Sequence, residues 1–410
     1  MNSGQPVRND GAGRGPSAGP ADQRRHGDAR RLGGTGTDWM DVNSQAISAG
    51  NNREASFAEF RRNAPVRLVF PFLRFPSLPA YVLYRRADVL RALGDSDVFS
   101  LAPVMARYEA VLGPAIFREN EPAWRALRSC VGPVLSPPSL TRVNETAVRA
   151  LAQRLVSQLP PGHQVDLIDG LARPLPSQVL CHLIGIDPAE WRTVYSAVRH
   201  MASFERQPLA GLRAAREFRA QLGELIEGAS PRSPGPVLAA LQEADLAPSQ
   251  LADLLMLLCW AAVETTVPAL GTVLRSALGA RRPGPPGARR VEARRAVLDA
   301  LAVDAPVQMT GRLARTAVHL SGADIPEGAL VLPHVGSAAL DGAGGRHRRA
   351  SLIFGSGTHR CIGAPLALAQ VTIAVEELLH RYPRARLTGQ PAGVHGEFIR
   401  GPETVWAQLE

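Results

Sequence analysis

The sequence predicts a mainly α-helical protein with small β-sheets, an α+β arrangement, and three features carry that prediction. Apolar residues recur with helical periodicity through most of residues 124–226. Residues 251–278 are apolar almost throughout and read as one long helix. Strand-like runs are short and confined to the flanks, at residues 80–84 and beyond Val307.

Taken in order, residues 1–55 hold Gly, Pro, Arg, Asp and Asn with almost no large apolar side chains. Such a segment cannot offset the entropy cost of ordering, so a disordered tail is expected there, followed by a single domain over residues 56–410. Residues 80–84 read as a strand and residues 86–93 as a helix after it. The helical stretch from Trp124 is punctuated by Pro137-Pro138, by Pro160-Pro161-Gly162, and by Pro174 and Pro176. Pro283, Pro285 and Pro286 lie in a breaker-rich stretch that separates the long apolar helix from the next one. Strand-like pieces at Val318-His-Leu320 and Ala329-Leu-Val-Leu332 come next, then a glycine-rich loop and a helix over about residues 361–382. No internal repeat is present.

A chain of 410 residues, 45% apolar, can bury a sizeable core. The formal charge of +9 raises the question of phosphate-rich partners. There is no lysine, however, and all 46 basic residues are arginines spread along the chain without a basic stripe interleaved with aromatics. Neither nucleic acid nor membrane is therefore expected as a partner. Cys130, Cys181, Cys259 and Cys361 lie far apart with no C-x-x-C pair, so no disulfide framework or zinc knuckle is indicated. The N-terminus has no apolar core region and no eighteen apolar residues run uninterrupted, so a cytoplasmic protein is expected.

The chemistry concentrates in Phe354-Gly-Ser-Gly-Thr-His-Arg-Cys-Ile-Gly363, which joins a glycine loop to an apolar helix. Cys361 falls at that helix start, where the helix dipole and free N–H groups favour a thiolate, the form that binds a soft metal or attacks an electrophile. Gly355, Gly357 and Gly363 let the backbone approach something flat and large. Taken alone, such a cysteine is more often a buried structural thiol. The spacing of Phe354, Gly357, Cys361 and Gly363 changes that reading. It resembles the F-x-x-G-x-x-x-C-x-G signature of the cytochrome P-450 superfamily, and His359 is a feature frequent in its bacterial members. The resemblance covers roughly residues 56–408. It implies the fold of that superfamily, with haem b (iron protoporphyrin IX) between this loop and the long central helix, and Cys361 as the iron ligand.

Within the long helix, Ala261-Ala-Val-Glu-Thr-Thr266 places polar groups in an apolar stretch, which is costly without a task. Thr265 and Thr266 could simply bond carbonyls one turn earlier. The stretch also resembles the family's A-G-x-E-T sequence, and by that resemblance Thr265 serves oxygen activation through a hydrogen bond, Glu264 relays protons, and Ala261 lies against the cofactor. Ala262 replaces the usual glycine. Pro268 lacks the N–H that would bond the carbonyl of Glu264, so a kink is expected near the site.

A buried porphyrin needs partners for its two carboxylates. Trp124 and Arg128 resemble the family's W-x-x-x-R pattern, Pro306, Val307 and Arg312 resemble its P-V-x-x-x-x-R stretch, and His359 completes the set. Each arginine alone would be a surface residue in this arginine-rich chain; their collinearity with the stronger motifs gives them weight. One pattern fails: the family's E-x-x-R motif should fall at Asp299-Ala-Leu-Ala302, where the acid is shortened and the arginine absent. The segment before the cysteine loop is short as well. Loss of both sides of a buried ionic network is self-consistent, because replacing all of it with apolar groups can be nearly neutral. Arg346, Arg348 or Arg349 could compensate by bonding Asp299, although a solvated basic loop is the simpler reading.

By resemblance, the expected function is a monooxygenase that uses O2 and two electrons, delivered by a ferredoxin and ferredoxin reductase, to oxidise a small hydrophobic substrate of polyketide or peptide type. A pocket for it is expected from the loop over residues 101–117, residues 201–212, residues 261–265 and residues 308–310, which are mostly apolar. Two alternatives stand beside it. One is a protein without oxygenase work that acts as scaffold or activator of a partner enzyme, and the other is haem-dependent rearrangement or coupling without oxygen insertion.

Overall fold

The structure, a computed structural model, describes residues 53–63, 66–69, 79–114, 122–136, 139, 147–204, 206–228, 233–279, 289–341, 352–389, 394–395 and 398–410. The tail expected over residues 1–55 thus lies outside the described residues except for its last three, which are helical. They open helix α1 (Arg53–Asn63), whose Phe57 is buried against the His334 ring at a centroid distance of 4.7 Å. Anchoring Phe57 carries helix one turn upstream, where Glu54 complements the N-terminal dipole.

Short strands near both ends of the chain meet in one sheet of order β1-β2-β8-β5-β3. These are β1 (Val66–Val69), β2 (Ala80–Leu83), β3 (Phe99–Ser100), β5 (Arg312–Ala314) and β8 (Leu330–Pro333). Only β2 and β8 run parallel, with Ala80 opposite Leu330 and Val82 opposite Leu332. Side chains alternate across a strand, so Leu83 and Val331 face one apolar cluster while Val82, Leu330 and Leu332 face another. Helix α2 (Arg86–Gly94) fills the first cluster through Val89, Ala92 and Leu93. Phe57 of α1 fills the second. Both faces are covered, which is why β8 is apolar and buried along its whole length.

The helical body begins with α3 (Pro122–Ala126), which runs on through a π-helical turn (Leu127–Val131) into Gly132–Val134. It continues with α4 (Arg149–Ser157), α5 (Pro174–Ile184), α6 (Trp191–Ala202), α7 (Pro208–Ile226) and α8 (Pro236–Gln242). The long helix is α9 (Pro248–Gly279), and α10 (Arg289–Val303) follows, residues 280–288 of the expected breaker stretch lying outside the described residues. Helix α11 (Val335–Leu340) follows β8, and α12 (Ala364–Arg381) follows the cysteine loop. Two hairpins, β6 (Val318–Leu320) with β7 (Ala323–Ile325) and β10 (Val394–His395) with β11 (Gly401–Pro402), and a sheet of β4 (Gln164–Asp166), β12 (Trp406–Gln408) and β9 (Arg386–Leu387) complete the architecture.

Helix α9 is the axis of the body. It is long and apolar enough to cross a membrane, but most of it is buried against α5, α6, α7, α10 and α12, as befits a core helix. The helix runs unbroken through Pro268. There β11 presses close: a Cβ on Gly401 would lie 2.4 Å from Pro268 Cβ and 2.7 Å from its Cα. Glycine is therefore required at position 401 by contact with the helix.

Candidate active site

The cysteine loop is held at its neck and at its tip. The Cys361 N–H donates to the Phe354 carbonyl at 2.8 Å, and the Arg360 N–H closes the 3-10 turn Gly357–His359 on the Gly357 carbonyl at 3.1 Å. Gly355 and Gly357 have φ of +76° and +71°, a region that side-chain-bearing residues rarely adopt. Gly357 is constrained a second time, since a Cβ there would lie 2.5 Å from the Leu93 carbonyl oxygen at the end of α2.

Helix α12 begins at Ala364, three residues after Cys361. The thiol still receives the helix-start donors, because the N–H groups of Gly363 and Ala364 both stabilise its anionic form. Burial pushes the Cys361 thiol up, and these two donors, Arg128 and Arg360 oppose it. As a residue Cys361 is nevertheless exposed. The other cysteines differ: Cys181 is buried and pushed up to about 12, chiefly by burial, Cys259 is buried and pushed up more strongly, and Cys130 is half-buried. All four are free thiols, as the spacing predicted.

Arg128 and Trp124 reach the loop from α3. Trp124 packs on the His359 ring at a centroid distance of 4.6 Å, and the Arg128 guanidinium lies 4.9 Å above Trp124. Arg128 Nη2 donates to the carbonyls of Thr358 and, at 2.7 Å, Arg360. Burial pushes the guanidinium pKa down, and nearby Cys361 opposes that. Three predicted anchors therefore do converge on the cysteine loop. Arg312 behaves otherwise: it is buried, and Nη1 donates to Thr310 Oγ1 at 3.0 Å and to the Gly311 carbonyl at 2.8 Å, bonds within its own stretch of chain.

On α9, most side chains are buried, yet Ala261 is exposed and Leu258, Ala262 and Thr265 are partly so, a stripe at helical spacing within the core. The Thr265 hydroxyl donates to the Ala261 carbonyl at 2.8 Å, the local bond that the sequence left open. Glu264 is largely buried, and both its oxygens accept from Arg199 of α6, at 3.0 and 3.2 Å. Burial pushes the Glu264 carboxyl up, against the lowering effect of Arg199. Sequence reading missed Arg199, one arginine among many and 65 residues distant.

Two expectations need correction. Within the loop expected over residues 101–117, the chain forms the short helical turns Ala102–Met105, Ala106–Tyr108 and Glu109–Leu112, with Tyr108 packed on Trp260 of α9 at 5.7 Å; residues 115–117 lie outside the described residues. Gln308 and Met309 do not line a cleft, since both are buried, Gln308 against Gly336 and Met309 in the cluster beneath the sheet. The strand pairing explains this, because Met309 bridges to His334 and the Gln308 N–H donates to Phe398. Arg346, Arg348 and Arg349 fall outside the described residues. At the missing E-x-x-R position, Ala302 joins Leu298 and Leu368 in a small apolar cluster, so the arginine is replaced by packing.

The residues fit a haem on grounds internal to the fold. The loop presents Cys361 as an exposed sulfur-bearing residue, and no group of three or more His, Cys, Asp or Glu that could hold a metal occurs among the described residues. An iron that brings its own macrocyclic nitrogens needs only such a ligand. A Cβ on Gly363 would lie 4.0 Å from Cys361 Sγ, so glycine at this position adds no bulk beside the sulfur.

No family model matches the chain. The chain is 28% identical over 391 residues to a methyl-branched lipid omega-hydroxylase of Mycobacterium tuberculosis, covering 86% of this chain and 90% of that protein. Identity to cytochrome P450 107B1 of Saccharopolyspora erythraea is 29% over 398 residues, with 85% and 95% covered. The fold matches the crystal structure of CalO2 with a TM-score of 0.76 at 22% identity, over 92% of this chain and 99% of that one.

Proposed function

The chain belongs to the cytochrome P450 superfamily and is an oxidoreductase of the monooxygenase type, and on that premise we propose that it oxidises a hydrophobic small molecule of specialised metabolism at Cys361-ligated haem. The observation that carries the proposal is the exposed Cys361, its thiol set among N–H donors and the Arg128 guanidinium. Cys361 would ligate the iron. Trp124, Arg128 and His359 would receive the propionates, and Ala261, Phe354, Gly355 and Gly363 would flank the ring. When bound, haem supplies the redox and oxygen chemistry that side chains lack, and thiolate ligation favours O–O cleavage.

The stoichiometry fixes what the protein must provide. One atom of O2 enters the substrate and the other leaves as water, which takes two electrons and two protons. Ferredoxin and its reductase are the proposed electron source. The proton side falls to Glu264 and Thr265. Burial favours the protonated carboxyl of Glu264, while Arg199 holds it in place. The Thr265 hydroxyl donates its proton to Ala261, so its lone pairs remain to accept from a water, and a rotation of χ1 would free it to donate. The half-buried stripe of α9 and the apolar residues around it would exclude bulk water and favour an apolar substrate. Relatives named for action on a methyl-branched lipid and on mycinamicin IV support that substrate class.

One observation favours a second reading, a scaffold or activator without oxygenase work: apolar packing stands where the family carries an arginine. A single comparison separates the two. The dithionite-reduced protein is expected to give, with carbon monoxide, the strongly red-shifted Soret band of thiolate-ligated haem, and Cys361→Ser to lose it. A folded protein that takes up no haem when haem is plentiful would sink the monooxygenase reading.

A further inference from the structure

We propose that helix α2 is a strut that positions the cysteine loop, with Asp341 as the positioning residue that fixes its far end. Two independent contacts place the cysteine-bearing part of the chain on opposite ends of this one helix. At the N-terminal end, the Arg86 N–H, one of the donors that a helix start leaves without an intrahelical partner, donates to Asp341 Oδ2 at 2.8 Å. The carboxylate also complements the dipole there. Arg61 of α1 adds a second hold, with Nε 3.5 Å from Asp341 Oδ1 and Nη1 donating to the Ser337 carbonyl at 2.9 Å. Arg85 donates to the Arg61 carbonyl at 2.8 Å, and Ser337 Oγ to that of Tyr84 at 3.0 Å, so the junction of β2 and α2 is tied to α11 at several points.

At the C-terminal end, Gly357 of the cysteine loop seats on Leu93 and Gly94 so closely that a Cβ would overlap the Leu93 carbonyl. Leu352, where the described chain resumes before the loop, is buried in the same cluster as Val89, Ala92 and Leu93. Nine residues of helix span about 13 Å, so α2 sets the distance between the end of α11 and the loop that carries Cys361. Helix α10 offers the loop no equivalent ionic hold at Ala302, which packs with Leu298 and Leu368. Just past the end of α10, Asp304 binds Arg275 at 3.0 Å and Arg400 at 3.4 Å and so ties that end to α9 and the C-terminal segment.

The consequence for haem rests on the function proposed above, but the positioning does not, and the test separates them. Hydrogen exchange in the full-length protein is compared among wild type, Asp341→Asn and Asp341→Ala, reading the amides of Cys361 and Arg360 against those of α5. The alanine variant is expected to exchange about tenfold faster at the loop amides with α5 unchanged, the scale of one lost hydrogen bond to a charged group. The asparagine variant, which keeps an acceptor for Arg86, should fall between. Transfer of haem to a scavenging apoprotein should then quicken by a similar factor. Should the alanine variant fail to fold, the asparagine variant decides alone. Unchanged loop protection, or an increase shared equally by α5, would overturn the proposal; a wild type that takes no haem would instead count against the function, leaving the exchange result to judge the strut.

Discussion

Arg199 on α6 grips both carboxylate oxygens of Glu264 on α9, with its own side chain 55% exposed and that of Glu264 14% exposed. A solvent-facing cation thus controls a carboxyl inside the body. The carboxyl is drawn toward its neutral form by burial and toward its charged form by the arginine.

Removing the cation should make stability more sensitive to pH. Because Glu264 is raised by burial, its contribution is fully present below its unfolded pKa and is lost as pH rises from there through its folded pKa. Arg199→Ala raises that pKa further. The variant should match wild type in acid, where the carboxyl is neutral in both, and lose about 1 kcal/mol near neutrality, a figure discounted for the exposure of Arg199. Urea denaturation across the pH range measures it. A constant deficit at all pH values would contradict the assignment.

Arg128 acts on the Cys361 thiol by charge and on the loop by geometry. Arg128→Ala should raise the thiol pKa, since the guanidinium opposes the effect of burial, and alkylation by iodoacetamide at fixed pH should slow. Arg128→Lys should restore the alkylation rate but not the loop, because an ammonium lacks the planar face that the guanidinium lays over Trp124. A lysine variant with wild-type loop hydrogen exchange would argue against this division.

Gly357→Ala combines a positive φ with an overlap on the Leu93 carbonyl. It should cost roughly 1–3 kcal/mol and loosen the cysteine loop, as read by urea titration and by the exposure of Cys361 to alkylation. Wild-type stability in this variant would mean that the contact with α2 yields freely.

Gly401→Ala tests the seat of β11 on α9. The atoms met by the new methyl are Pro268 Cβ and Cα, which alanine at position 268 would retain. Overpacking of about 1–3 kcal/mol is expected in Gly401→Ala, and Pro268→Ala should not relieve it. Relief in the double variant, measured by thermal unfolding, would show that the proline ring rather than its backbone sets the spacing.

Much of this protein was legible in its sequence because the features concerned are local. Positive-φ glycines, the cysteine three residues ahead of an apolar helix, the long apolar run of α9 and the short strand-like runs of β2 and β8 each depend on neighbours within a few residues, where chain geometry leaves few choices. The E-x-x-R position also announced its own departure. What the tertiary structure alone decided are pairings across long separations: Arg199 with Glu264, Arg86 and Arg61 with Asp341, Gly357 with Leu93. In a chain whose 46 basic residues are all arginine, composition cannot say which guanidinium finds which carboxylate. That choice is made by how helices pack, because burial and close approach turn a few arginines from solvated surface groups into partners of a partly buried acid.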